Sequence, residues 1–424
     1  MESKITLVIV ILISFSLKGQ KPTNDKDSIM DLLRRERNSL TCKRILKHGS
    51  KTLQNDPEVV RTAILKSNDA LKFASKELRN DRDFLLHLIE ENGTIYPFLK
   101  KKYQKDQAFL IAASKTNDKA LQFAPRKLKS DNKIVSECVL KNGKALQFAD
   151  FELKNDRDLV IQAINNNASA FEYASGNLQS DRGLALMAIQ KNPTMYKHAS
   201  SELKADLEIT KMAIQKNGLM LEFAPLEFRD NYDMVLSAIN SKANGFTVPL
   251  QYASEKLKND PSIVKSAIIQ NPISLKHASI RLQNDRDFIL DAIQHNGMIL
   301  EYTNDKFKSD IEIVSMAINN NGDALAFASE ELKNNKEIVL SAANCDYCTT
   351  IALSNASKGL QEDSNFVLQI VKLDGLSLLF ASSDLRENRE IVIAAVQQNQ
   401  NVFEYIQPTF QNDPDILELL KEQD

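Results

Sequence analysis

One spacing governs this chain. An apolar residue stands at Leu53, Leu78, Tyr103, Leu128, Leu153, Leu178, Leu203 and Phe228, each 25 residues after the last. After a four-residue insertion the series resumes at Leu257, Leu282, Phe307 and Leu332, and after a three-residue insertion at Leu360, Leu385 and Phe410. Fifteen units in register across 424 residues override the two or three domains that length alone implies. They point to a repeat architecture, in which each unit buries its apolar face only against its neighbours.

Numbered from that apolar residue, position 4 is Asp in twelve units and Asn in three, Asn231, Asn335 and Asn388. These side chains accept the free N–H groups of a first helical turn, so a helix is predicted to start there in every unit. Pro57, Pro261 and Pro414 follow the cap directly, where a missing N–H costs nothing. Position 6 is acidic in ten units, which suits the positive end of the helix dipole. Positions 7, 8, 11 and 12, in the first unit Val59, Val60, Ala63 and Ile64, then share one helical face. Ala at position 11 in eleven units implies close helix–helix approach. Asn-Gly at positions 15 and 16, as in Asn92-Gly93, Asn142-Gly143 and Asn217-Gly218, is expected to close the helix through a left-handed glycine. A second helix follows, as Ala70, Leu71, Phe73, Ala74 and Ser75, with an aromatic residue at position 21 in most units. Each unit therefore reads as a hairpin of helices of about eleven and seven residues. The fold class is all-α, an α-solenoid of about fifteen 25-residue hairpin repeats over residues 53–424.

The unit L-x-x-D-x-x-x-V-x-x-A-I-x-x-N-G-x-A-L-x-F-A-S, carried by Leu128–Glu152 and Phe307–Glu331, resembles the repeat of the domain-of-unknown-function 4116 family. The resemblance covers residues 53–424 and implies a tandem helical repeat. It brings no activity, cofactor or catalytic residue to carry over. The insertions near Ser241–Thr247 and Cys345–Asn355 depart from the pattern.

Residues 28–52 read as a degenerate unit with Asp31 at the cap position, so 20–52 is assigned as linker and capping segment. Upstream, the apolar stretch Ile5–Leu17 is shorter than the roughly 20 residues of a membrane-spanning helix. With Lys4 before it, it fits a secretory signal over residues 1–19, cleaved before Gln20. The chain is then exported to the periplasm or the extracellular space, with no integral span in the mature protein. The alternative is a membrane anchor made by the same segment.

Lys+Arg 54 against Asp+Glu 56 gives a net charge of −2, which argues against a dedicated nucleic-acid binder. Position 2 is Lys, Arg or Gln in all fifteen units. Its column reads either as a basic strip for an anionic partner or as a solvated ladder paired with the acidic columns. Positions 13 and 14 are rich in amides, among them Asn165, Asn166, Asn319 and Asn320, and read as a polar face for a peptide or glycan, or as plain surface.

Of four cysteines, Cys138 occupies the small position-11 site and Cys42 the capping segment. Cys345 and Cys348 form C-D-Y-C inside the second insertion. They are candidates for a local disulfide, a redox dithiol or half a zinc site, although no second ligand pair lies near them in sequence. His198 and His277 replace the position-21 aromatic in two units that share N-P-x-x-x-K-H-A-S, and are expected to be partly buried and hydrogen-bonded. No H-E-x-x-H, G-x-S-x-G or phosphate-binding glycine loop is present. The sequence thus assigns no catalytic, cofactor-binding or metal site, no cofactor, and no nucleic-acid partner. The expected function is a non-enzymatic scaffold for a protein or peptide partner. An extracytoplasmic structural or glycan-binding protein is the alternative, and a thiol oxidoreductase using Cys345 and Cys348 the remote one.

Overall fold

A computed structural model describes residues 26–36, 38–241, 248–344 and 349–421. The described residues are helical throughout, without a strand. They divide into two compact units, the first ending at Ile209 and the second starting at Thr210, a boundary inside the helix Leu207–Lys216. Both are built from the same repeat, an α-solenoid motif.

Each repeat has three helical segments rather than two. The first is a ten-residue α-helix such as Pro57–Lys66, Arg157–Asn166 or Ile311–Asn320. Its start is fixed as the sequence implies: Asp56 accepts from the N–H of Glu58 and Val59, and Asp310 from those of Glu312 and Ile313. Val59, Val60, Ala63 and Ile64 are buried, and their counterparts repeat this along both units. Each larger aliphatic side chain of that set is worth about 1.5–3 kcal/mol on burial.

The second segment is a 3₁₀-helix of six residues, not the expected α-helix; examples are Asn68–Phe73, Gly143–Phe148 and Gly297–Tyr302. Its i to i+3 bonds, such as Ala70 N to Ser67 O at 2.8 Å, fit a stretch too short to repay an α-helical nucleus. With three residues per turn, Leu71 and Ala74 stack on the buried side while Phe73 stands half-buried at the lip. The third segment is a single α-turn such as Phe151–Lys154 or Ser201–Lys204. At most repeats with Ser at position 23 that side chain caps this turn, as Ser175 Oγ does for the Leu178 N–H, while Ser382 does not. The position-23 N–H also donates to the position-2 carbonyl of the preceding turn, as Ser175 N to Lys154 O at 2.9 Å.

Residues 26–52 take the place of a repeat with α-helices alone. Lys26–Arg35 and Ser39–His48 pack on Pro57–Lys66. Asp31 caps nothing; it lies inside the first helix, 2.9 Å from Arg35. In the second unit the α-helix Thr349–Asn355 stands where a 3₁₀-helix would, between Gly322–Phe327 and Gly375–Phe380.

The position-16 glycines are not left-handed. Asn92, Asn142 and Asn296 end their helices in extended conformation, with φ of −143°, −151° and −158°. Each Asn side chain then accepts from the N–H two residues on and starts the 3₁₀-helix. Glycine follows because the next repeat leaves no room. A Cβ on Gly93, Gly143, Gly218, Gly297 or Gly375 would lie 2.1–2.4 Å from the carbonyl oxygen of the position-11 Ala of the next unit. The small residues at positions 11 and 16 are two halves of one contact between repeats.

Candidate functional site

Most polar columns singled out in the sequence are consumed by the fold. Position-14 side chains join repeats. Asn166 Oδ1 accepts from Gly143 N at 2.7 Å while its Nδ2 donates to Leu140 O at 2.8 Å, and Asn320 does the same with Gly297 and Gln294. Position-2 side chains are neither a basic strip nor a ladder with the caps. Gln54, Gln104, Lys129, Gln179, Lys204, Gln283 and Gln361 reach back to carbonyls at the end of the preceding helical segment, for example Lys129 Nζ to Gln122 O at 2.7 Å. A donor of suitable length closes that helix end by satisfying carbonyls that have no intrahelical partner.

The ladder that does link repeats runs from position 5, which sequence reasoning missed. Arg82, Arg157, Arg182, Arg286 and Arg389 each bind the cap Asp of the next unit at 2.8–3.0 Å. Arg182, Arg286 and Arg389 also pair with the position-6 acid, Glu208, Glu312 and Asp415. These contacts hold the carboxyls of Asp181, Asp206 and Asp310 below the usual carboxylate range, the guanidinium hydrogen bond being the largest cause. The recurring D-R or N-R at positions 4 and 5 was the available signal.

What the fold leaves unused is the lip of the 3₁₀-helices. The position-21 rings are not core. In the first unit Phe73, Phe148 and Tyr173 are half-buried and Phe98 and Phe123 are 49% and 45% exposed. In the second unit Phe223, Tyr252, Tyr302 and Phe327 are half-buried, and Phe380 and Tyr405 exposed. One ring per repeat makes an aromatic stripe along each unit, with exposed residues of position 20 such as Lys72, Glu222 and Lys276 beside it. Lys276 Nζ stands 5.1 Å from the centre of the Tyr302 ring, one repeat on. Near the end of the second unit the stripe deepens into a depression of about 250 Å³ lined by Leu378, Leu379, Arg386, Tyr405, Ile406 and Pro408.

His198 and His277 sit in the stripe, half-buried. Burial lowers the pKa of both; Glu172 opposes this for His198, while Lys258 and Lys276 add to it for His277. His198 Nε2 is 3.9 Å from Glu172 Oε2 and lacks a hydrogen-bond partner, unlike the bonded histidine expected. Cys42 and Cys138 are buried free thiols, Cys138 pushed up to about 11 by burial. Cys345 and Cys348, the segment 1–19 expected to be a leader, and most of the first insertion lie outside the described residues. Among the described residues no cluster of three or more His, Cys, Asp or Glu is placed to hold a metal, and no helix is long and apolar enough to cross a membrane.

Tandem helical repeats in a 25-residue register define the chain as an α-solenoid repeat protein. Family comparison then places it: the model of the Domain of unknown function (DUF4116) family matches eleven overlapping stretches, from residues 25–79 through 133–179 and 285–333 to 363–411. The chain belongs to that family. The first match starts at residue 25, ahead of the first regular repeat. Searches of curated proteins and of solved structures return no match.

Proposed function

We propose that the chain is a non-enzymatic helical-repeat scaffold that binds a protein or peptide partner along its aromatic stripe. The observation that carries this reading is the half-exposed ring repeated at position 21. The apolar columns at positions 7, 8, 11 and 12 are buried and the position-14 amides join repeats, whereas this apolar column is kept at the surface. Aromatic rings give large contact area at low entropic cost, which is why they are enriched where partners bind. Rings about 10 Å apart, the spacing of packed helices, match every third residue of a peptide in the polyproline II conformation, which rises about 9 Å per turn. The thiols described are buried with raised pKa, the opposite of an activated nucleophile. Export by a leader over 1–19 belongs to the same proposal and supplies a setting for an extracytoplasmic partner.

The test uses a displayed random-peptide library panned on the full chain. Enriched peptides are expected to carry apolar residues at a regular spacing and to lose at least tenfold affinity for a Tyr252→Ala/Tyr302→Ala variant. Failure to enrich any sequence, or equal binding to the variant, would overturn the reading. Detection of an N-terminus at Met1 in the secreted or envelope fraction would overturn cleavage before Gln20.

A further inference from the structure

Charge is not spread evenly along the lip. Between Lys100 and Lys133 ten Lys or Arg residues stand against three Asp, in a chain whose net charge is −2. In the repeat register the excess is ordered. Position 24, the first residue of the short turn, is Lys76, Lys101 and Arg126 in the first three repeats, and Lys51 takes the same place in the capping segment before them. All four are exposed, and the next residue of the row is Phe151, 71% exposed. At about 8–10 Å per repeat the row of cations runs on the order of 30 Å. Lys100, Lys102, Lys105 and Lys127 widen it.

These cations are not neutralised by the fold. Among the described residues Lys76, Lys101, Lys105 and Lys127 form no ion pair, and Arg126 reaches only to 3.9 Å from Asp150 with its side chain 93% exposed. They crowd one another instead: burial and the charges of Arg79, Lys102 and Lys76 lower the pKa of Lys100. Two rings of the stripe, Phe98 and Phe123, stand at the same lip, each three residues before a member of the row. Corresponding positions in the second unit have mixed sign, as Glu255, Lys256, Asp305, Lys306, Glu330 and Glu331.

We propose that this edge of the first four repeats docks on an anionic lipid bilayer surface, a property distinct from partner binding along the stripe. Three features select a bilayer over a folded or extended polyanion. Lysine dominates the patch, and its compact ammonium answers a diffuse surface potential, whereas arginine suits bidentate recognition of individual phosphates or carboxylates. A depression on this edge, between Lys51 and Arg79, is open and lined by both charged and small polar residues, a surface suited to a broad planar partner more than to a confined strand. Phe98, Phe123 and Phe151 project beside the cations, as aromatic residues do where a protein seats at the headgroup level. Cations near an anionic leaflet each raise binding about fivefold, and the effect is screened within a Debye length.

Co-sedimentation of the full chain with phosphatidylcholine vesicles, and with vesicles in which a quarter of the lipid is phosphatidylglycerol, tests this. Binding is expected only to the anionic vesicles and should weaken with salt. Lys76→Glu/Lys101→Glu/Arg126→Glu should lower the partition at least a hundredfold, and Phe151→Ser several-fold. A control reversal at Lys256, Lys306 and Lys358 should leave it unchanged. Circular dichroism of each variant secures that the fold persists, and the apolar segment 5–17 is common to all chains compared. Equal partition onto neutral vesicles, or an unchanged triple variant, overturns the proposal. So does capture of polyglutamate or single-stranded DNA by the patch with no gain on anionic vesicles. Loss of vesicle binding leaves peptide selection on Tyr252 and Tyr302 intact, so the two readings fail separately.

Discussion

Replacing Gly143 with alanine tests the contact between repeats most directly. The added Cβ would stand 2.4 Å from Ala163 O and 3.0 Å from Asn167 N, about 1 Å inside ordinary van der Waals contact with the carbonyl. Both neighbours are backbone, so no side chain can swing aside. Forcing the repeats apart costs about 1–3 kcal/mol as overpacking. It also strains the 2.7 Å bond from Gly143 N to Asn166 Oδ1, a further ~1 kcal/mol. The restricted unfolded chain returns about 0.4–1 kcal/mol. The net loss is about 2 kcal/mol, read as roughly 30-fold faster hydrogen exchange across residues 143–166. Gly176→Ala is the control, since nothing lies within 4 Å of its Cβ, and it should be neutral or slightly stabilising. Asparagine separates the two explanations of the glycine. A left-handed site would tolerate Gly143→Asn better than Gly143→Ala, while a crowded one makes it no better. Wild-type exchange in Gly143→Ala, or rescue by Asn, would refute the close-approach argument.

Four further outcomes are expected. Asp310→Ala removes both a helix cap and the partner of Arg286, and should cost about 1–2 kcal/mol in thermal melts, more than Arg286→Ala, with only the arginine's share falling at high salt. His198 and His277 have folded pKa values below their ordinary 6.5, so the unfolded chain binds more protons and stability is lost as pH falls below that value. His198→Phe/His277→Phe should therefore shrink the drop in melting temperature between pH 7 and pH 5; an unchanged drop would place the acid sensitivity elsewhere. Ala213→Leu, at a fully buried position-11 site, should destabilise by about 1–3 kcal/mol in chemical denaturation. Cys138, buried with its thiol near 11, should resist iodoacetamide in the native chain at pH 8 and react once it is unfolded.

What was legible in the sequence is what repeats locally. The caps at Asp56 and Asp310, the apolar set at Val59, Val60, Ala63 and Ile64, and the 25-residue register all follow from side chains acting on their own helix. What was misjudged depends on the neighbouring repeat. Gly143 was read as a turn residue because a glycine after a helix usually is one, and its partner Ala163 lies twenty residues away. Asn166 reads from sequence as surface, for a ligand or for water, because its two bonds run to Gly143 and Leu140 of the unit before. The 3₁₀-helix was missed because its apolar spacing fits either helix over six residues.

The missing information was nevertheless in the chain, in the pairing of position 16 of one unit with position 14 of the next. Gly93, Gly143, Gly218, Gly297 and Gly375 are followed there by Thr116, Asn166, Ser241, Asn320 and Gln398, and each glycine N–H donates to that side chain at 2.6–2.9 Å. Where position 16 is Asn68, Asp118, Ala168 or Pro272, position 14 of the next repeat is Glu91, Lys141, Lys191 or His295 instead. Those position-16 residues are half-buried where the glycines are buried, and Lys191 Nζ takes the Asn165 carbonyl at 3.1 Å. Two kinds of junction thus occur, a close one locked by a glycine N–H and an open one, which at Ala168 is bridged by the long side chain of Lys191. A Gly143→Ala/Asn166→Lys double variant converts the first kind into the second. If the junction is the unit of design, the double variant should exchange more slowly across 143–166 than Gly143→Ala alone, a coupling of about 0.5–3 kcal/mol. Simple additivity of the two losses would mean that the pairing is incidental and that the glycine alone sets the approach of the repeats.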